Sequence, residues 1–309
     1  MDYRRIIHDA WVFTRGNKTL MIWYSFIPTF LTTVIGIVYL VYQFFAFKRS
    51  HWFDNSDVSF LKEVTTYVID FFQAHGQLVT PAIALIIVVG IFYLLLPTIC
   101  LGGLIQITAR RRAGQEVKNI DGISYGLLSF LVLFKYHLFI KTFSFVGIAT
   151  EIALILRNFE SSILQFILPV FITVGIFGFL LTLLFTYSEF FIVVSKKGML
   201  EAIGKSTKLV LFNWQHTLLM GILMLFIGVR IIINVVAVLF VPALIIASAG
   251  FFATITLKII GLAIAFMIGF IGLIAVAYFN GIIHMFANTV WTYTFLELTE
   301  QEKNKEILE

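Results

Sequence analysis

The chain is short of cysteine and of charged residues, and each shortage narrows what it can be. Its single cysteine, Cys100, excludes an intrachain disulfide. Only 13% of its 309 residues are charged and 60% are hydrophobic, whereas soluble domains have about 25% and about 45–50%. The first 18 residues lack the apolar core of a cleaved secretory signal. This composition predicts an integral membrane protein.

The chain also lacks the usual signatures of a catalytic site. No nucleotide-binding loop, metal-ligand cluster or nucleophile motif stands out, so we expect no cofactor and do not predict an enzyme. The net charge of +5 and the pI near 9.2 could indicate a nucleic-acid partner. The cations flank apolar segments, however, which favours orientation in a membrane, and no nucleic-acid partner is predicted.

Long apolar runs are abundant, and a run of about 20 residues suffices to cross a bilayer. They predict an all-α, polytopic bundle of six transmembrane helices at residues 20–47, 80–107, 136–156, 163–194, 215–247 and 252–290. Of the 22 Lys and Arg residues, 15 lie on the side of the two termini and four on the other side. The positive-inside rule therefore puts both termini in the cytoplasm. The expected location is the cytoplasmic membrane of a prokaryote.

A short pattern occurs twice, each time just before a long apolar run. The first copy is Ile7, Ala10, Phe13 and Asn17, and the second, 196 positions later, is Ile203, Ser206, Leu209 and Asn213. Each copy predicts an amphipathic interfacial helix that leads into a span. Either the chain contains an internal duplication, or the membrane interface selects the same pattern independently.

The repeat divides the single membrane domain, 1–309, into three units of one surface helix and two spans. Their approximate bounds are 1–110, 111–195 and 196–300, followed by a tail at 301–309, and the surface helix of the middle unit is placed at 123–135. Basic residues on the surface helices predict contact with membrane lipids, notably anionic headgroups of the inner leaflet. The alternative is that these helices only anchor the bundle.

One segment resembles a known group of proteins. It contains Tyr187-Ser188-Glu189, Lys197-Gly198, Glu201-Ala202-Ile203-Gly204-Lys205-Ser206 and Asn213-Trp214. This is similar to the pattern of poorly characterised prokaryotic six-helix membrane proteins, which include the membrane domain attached to some glycerophosphodiester phosphodiesterases. No soluble stretch is long enough for the catalytic domain. The resemblance therefore implies a membrane module without its enzyme.

Polar residues within the spans are the candidate binding residues, because an ionisable group is costly in a bilayer. Glu151 and Arg230 are expected at similar depth in the outer half, where they form either a site for an anionic group or a structural ion pair. Arg230 could instead mark the outer end of span five, in which case this site vanishes.

A second polar group is expected near the inner side. Asn280, His284 and Asn288 recur every four residues and share one stripe of span six, and Glu189 lies near the inner end of span four. Together they could bind a cation or relay protons, or they could hold helices together by hydrogen bonds. They form a poor ligand set for zinc, because no second histidine is clearly in reach.

Span six also carries a stripe of small residues, which predicts a helix buried at the centre of the bundle. The alternative is that the stripe forms the contact of a dimer. The stripe consists of Gly261, Ala265, Gly269, Ala277 and Gly281.

Three functions are compatible with these patterns. The first is a non-enzymatic module that binds or moves a lipid or small amphiphile. The second is a structural or scaffolding membrane protein, in which the buried polar groups only join helices. The third is an intramembrane enzyme that works through Glu189 and His284. We rank them in this order.

Overall fold

The computed structural model describes residues 1–48, 60–141, 150–151, 161–229 and 258–308, and within these ranges it contains helices and no strand. In chain order the helices are α1 (Tyr3–Gly16), α2 (Lys18–Met21), a π-helix (Ile22–Phe26), α3 (Ile27–Lys48), α4 (Phe60–Ala74), a 3₁₀ turn (Gly76–Leu78), α5 (Val79–Arg112), α6 (Asp121–Lys141), α7 (Ser161–Leu184), α8 (Ser188–Val193), α9 (Met199–Phe212), α10 (Trp214–Val229) and α11 (Lys258–Leu308). The all-α fold class is thereby confirmed.

Several of these helices are long and apolar enough to cross a membrane. Among the described residues there are four such segments, Lys18–Tyr39, Gly76–Arg112, Asp121–Ile140 and Phe270–Gln301, and a fifth if α9 and α10, which meet with a bend of 94°, count as one span. The chain thus has the helices of a multi-pass membrane protein. The number six, the interfacial helices and the orientation of the termini stay predictions.

Three predicted boundaries differ from the observed ones. The segment predicted as span 163–194 is interrupted between Leu184 and Ser188. The segment predicted as a surface helix at 123–135 belongs to α6, which continues without a break to Lys141. The last apolar helix was expected to end at 290, but α11 continues to Leu308. Its residues beyond 290 stay helical because several of them, including Phe295 and Leu298, are buried.

The chain divides into two compact units that cut across the predicted three. The first comprises residues 1–34, 103–124 and 212–309, and the second comprises residues 35–102 and 125–211.

In the first unit, α1 packs against α11. The Asp2 carboxylate caps α1 by accepting hydrogen bonds from the backbone amides of Arg4 and Arg5 at 3.1 and 3.2 Å. One face of α1 then enters a core made of Ile6, Ala10, Met220, Phe286, Val290 and Tyr293. Burying each large apolar side chain stabilises the unit by about 1.5–3 kcal/mol.

The loop after α5 is held by the side chain of Arg111. Its guanidinium donates to the Oδ1 atom of Asn17 at 2.6 Å, to the carbonyl oxygen of Val117 at 2.8 Å and to the Oδ1 atom of Asn119 at 2.7 Å. The hydroxyl of Tyr24 donates to the carbonyl of Asn119. These bonds join the α1–α2 junction to the loop between α5 and α6.

Glycines allow close helix contacts within each unit. In the first, a Cβ atom at Gly103 would lie 2.4 Å from the carbonyl oxygen of Gly122, and one at Gly281 would lie 2.8 Å from the Cα atom of Phe26. In the second, a Cβ atom at Gly126 would lie 2.1 Å from the carbonyl oxygen of Ile99. Backbones can approach this closely only where the side chain is a hydrogen atom.

In the second unit, the break between α7 and α8 is stabilised by distant side chains. The buried hydroxyl of Ser206 donates to the carbonyl of Leu184 at 2.8 Å and accepts from the amide of Tyr187 at 3.0 Å. The hydroxyl of Tyr136 donates to the carbonyl of Phe185 at 3.0 Å. Backbone groups that the break removes from the helix are thereby satisfied.

Candidate functional site

The strongest candidate site is an acid–imidazole pair in the second unit. The Nε2 atom of His137, on α6, lies 2.9 Å from the Oε1 atom of Glu189, on α8. Glu189 was predicted as a site residue, but its partner was not. The expectation that no second histidine is clearly in reach is wrong, because His137 is in direct contact with this carboxylate.

A hydroxyl on a third helix extends the pair. The Oγ1 atom of Thr98, on α5, lies 3.5 Å from the Nδ1 atom of His137, at the outer limit of a hydrogen bond. When Nε2 carries the proton that it donates to Glu189, Nδ1 is left to accept from Thr98. The order of groups is therefore hydroxyl, imidazole, carboxylate.

The break between α7 and α8 positions the carboxylate. Glu189 is the second residue of α8, directly after the turn that Tyr136 and Ser206 satisfy. Tyr136 precedes His137 in sequence, so one short stretch of α6 both supports the turn and contacts the acid.

The pair is partly accessible. The side chain of His137 is 30% exposed and that of Glu189 is 26% exposed, whereas Thr98 is buried. Within the described part of the chain, the Oε2 atom of Glu189 has no hydrogen-bond donor. It is therefore an acceptor that a ligand can reach.

The predicted stripe on span six lies in the first unit and has other partners. The Nδ1 atom of His284 lies 3.3 Å from the hydroxyl of Ser25, in the π-helix. The side-chain amide of Asn288 donates to the carbonyl of His284 at 2.8 Å, within its own helix. Asn280, His284 and Asn288 are all partly buried. The bond of Asn288 is local, so this residue does not join helices through it.

Glu189 and His284 thus have separate hydrogen-bond partners, in different units. Of the predicted outer pair, Glu151 is exposed and Arg230 lies outside the described residues, so their pairing stays a prediction.

A metal site is not indicated in the ranges that the structure describes. No group of three or more His, Cys, Asp or Glu side chains with suitable geometry occurs there. The pair of Glu189 and His137 would supply two ligands, fewer than the three or four protein ligands of a typical zinc site.

Comparisons of the chain with protein-family models, with curated proteins and with solved structures found no match. Its function therefore has to be inferred from the arrangement of its own side chains.

Proposed function

We propose that the chain is a non-enzymatic membrane module that binds or moves a lipid or a small amphiphile, with Glu189 and His137 as its polar binding group. The observation that carries this proposal is the partial exposure of a hydrogen-bonded acid–imidazole pair whose histidine lies on a membrane-compatible helix. A partly buried carboxylate that only joined helices would need hydrogen bonds to both of its oxygens to offset the cost of its desolvation. This pair instead keeps one carboxylate oxygen available.

The apolar surroundings favour an amphiphile over a fully polar solute. The α5 helix, which carries Thr98, exposes several large apolar side chains, among them Leu85 at 64% and Ile86 at 68% exposure. An acyl chain lying on such a surface would bury apolar area, while a headgroup hydroxyl or ammonium would find the carboxylate of Glu189. Exposed apolar side chains on membrane-compatible helices favour contact with lipid.

Native mass spectrometry of the protein, released gently from detergent, tests the proposal through Glu189→Gln. The wild type should retain a stoichiometric lipid or small amphiphile. Removing the charge of Glu189 should lower the retained fraction about tenfold, the lower end for losing a charged hydrogen bond. Glu201→Gln is the matched control, because Glu201 follows in the same segment, is 49% exposed and pairs only with lysines of its own neighbourhood.

The outcomes separate the competing functions. Equal retention by wild type and Glu189→Gln would remove this residue from any binding site. A wild type that carries only random bulk lipid would favour the scaffolding protein, in which polar groups serve as Arg111 does, by joining segments. If the chain were an enzyme that uses Glu189 and His284 together, a substitution at either residue would abolish the same activity. The two side chains have different hydrogen-bond partners, which does not support this function.

A further inference from the structure

A polar cavity lies in the first unit, away from Glu189 and His137. Its volume is about 500 Å³, it is open on one side, and it is lined by the first residues of α1, the end of α5 and the α11 segment from Tyr293 to Glu300. Ligand pockets commonly measure about 300–1,000 Å³, so the cavity is large enough for a headgroup or a small solute.

The lining carries charges of both signs. Arg5 and Arg112 contribute two guanidinium groups, and Asp2, Glu297 and Glu300 contribute three carboxylates. A ligand that bears only negative charge would meet more carboxylates than guanidiniums, and a simple cation would meet two guanidiniums. The lining therefore fits a molecule that itself carries both charges.

Two of the charged side chains that line the cavity already have close hydrogen-bond partners, and the other three are more available to a ligand. Arg112 donates to the Oδ2 atom of Asp9 at 2.8 Å, and its guanidinium lies 4.5 Å from the centre of the Tyr293 ring. The Asp2 carboxylate caps α1. Arg5 also reaches Asp9, but only at 3.9 Å and with a side chain 74% exposed. Arg5 and the acids Glu297 and Glu300 are therefore the groups best able to turn toward a ligand.

We propose that this cavity binds a zwitterionic phosphate ester with a primary ammonium group, the chemistry of an ethanolamine phosphate. Arg5 contacts the phosphate, with Arg112 contributing from its fixed position beside Asp9. Glu297 and Glu300, three residues apart on one side of α11, accept hydrogen bonds from the ammonium group. A quaternary ammonium has no N–H to donate, so an ethanolamine headgroup is favoured over a choline headgroup.

The place of the cavity along α11 favours a lipid as the source of this group. Its acids lie at the end of the apolar segment Phe270–Gln301, where a membrane-spanning helix would meet the headgroup layer. Trp11 and Val12, on the outer face of α1, are 48% and 55% exposed and would face the same layer. The inference adds a second headgroup site to the proposed module, separate from the pair of Glu189 and His137, and it rests on the proposed function in that both sites take a lipid or amphiphile.

Lipid competition on the full-length protein tests the inference. The protein is equilibrated in mixed micelles that contain equal amounts of dioleoyl phosphatidylethanolamine, phosphatidylcholine and phosphatidylglycerol, and retained lipids are counted by native mass spectrometry. We expect phosphatidylethanolamine to be retained about tenfold over phosphatidylglycerol, as for one charged hydrogen bond. The double variant Glu297→Gln/Glu300→Gln should lose this preference while retaining as much total lipid.

Two further variants sharpen the result. Arg5→Gln should weaken retention of all three phospholipids alike, because each has a phosphate. Glu116→Gln, an exposed acid in the loop after α5, is the matched control and should keep the wild-type preference. Melting temperatures of all variants should match the wild type, so that a changed preference is not a folding defect.

The source of the group is distinguished by adding soluble glycerophosphoethanolamine. Its failure to displace the lipid assigns the site to a lipid headgroup, whereas displacement at comparable concentration supports the same zwitterion chemistry with a soluble ligand. Lipid retained without preference, or with a preference that Glu297→Gln/Glu300→Gln leaves intact, overturns the inference and not the proposed function. A wild type that retains no lipid overturns both.

Discussion

The close contact between Gly126 and the backbone of Ile99 predicts that Gly126→Ala destabilises the second unit. The added methyl carbon would lie 2.1 Å from the carbonyl oxygen and 2.9 Å from the carbonyl carbon of Ile99. Neither atom belongs to a flexible side chain, so α5 and α6 must move apart.

The magnitude follows from two opposing effects. Overpacking costs about 1–3 kcal/mol, and a contact with rigid backbone belongs at the upper end. Alanine returns up to about 1 kcal/mol through its better helix propensity. We therefore expect a net loss of about 2 kcal/mol, which lowers the melting temperature by about 3 °C for a chain of 309 residues.

The lone thiol provides the assay. Cys100 is the single cysteine in the sequence and is 6% exposed, on α5 next to Ile99. A fluorogenic maleimide that reacts with it only after unfolding reports a melting curve for this contact. Gly90→Ala is the control on the same helix, because a Cβ atom there meets nothing within 4 Å. If Gly126→Ala melts at or above the temperature of Gly90→Ala, the reasoning about this contact is refuted.

Two further predictions concern a charge and a hydroxyl. The hydrogen bond from Arg112 lowers the pKa of Asp9 below its usual range. The ionised carboxylate should therefore stabilise the fold by about 0.5–1 kcal/mol. This stabilisation should be complete above the unfolded pKa of about 4, and it should disappear as the pH falls through the lower pKa of the folded state. Tryptophan-fluorescence melts of wild type and Asp9→Asn should therefore differ at pH 7 and converge toward pH 3, and a constant difference would contradict the assignment. Ser206→Ala should cost about 1–3 kcal/mol, because it leaves a buried carbonyl and amide at the α7–α8 break without their partner. Thr207→Ala, which removes only a bond to the carbonyl four residues back in α9, should melt within about 0.5 kcal/mol of the wild type.

The apolar helices and the amphipathic repeat were accessible from sequence, because both follow from periodicity. In the first copy, α1 ends at Gly16 and the next helix begins at Lys18, directly after Asn17. In the second copy, α9 ends at Phe212 and the next helix begins at Trp214, directly after Asn213. The buried positions also correspond at the spacing of 196, as Ile6, Ala10 and Thr14 in α1 and as Ala202, Ser206 and Val210 in α9. This agreement in burial goes beyond the sequence match, although it leaves open whether the copies arose by duplication.

The interruption after Leu184, between α7 and α8, could not be predicted from the sequence. No proline or glycine marks residues 185–187, and the apolar residues on both sides of them predict an unbroken span. The turn depends on hydroxyls from Tyr136 and Ser206, which are distant in sequence. Tertiary hydrogen bonds of this kind have no local signature.

Only one of the two residues of the candidate site could be predicted from the sequence. Glu189 could be selected because an acid beside an apolar run is costly. His137 lies 52 residues earlier on another helix, and only the packing of α6 against the α7–α8 turn brings it to the acid. The sole available signal was a histidine near the end of an apolar stretch, next to a tyrosine.

The hydrogen-bond acceptors of Arg111 determine how the attachment of the α5–α6 loop responds to pH. All three of its hydrogen-bond acceptors are neutral amide oxygens, one on the backbone and two on asparagine side chains. No carboxylate titrates within this set, so the attachment of the α5–α6 loop keeps its strength at acidic pH, where the bond between Arg112 and Asp9 fails. The positive charge of the guanidinium also remains uncompensated by these three acceptors.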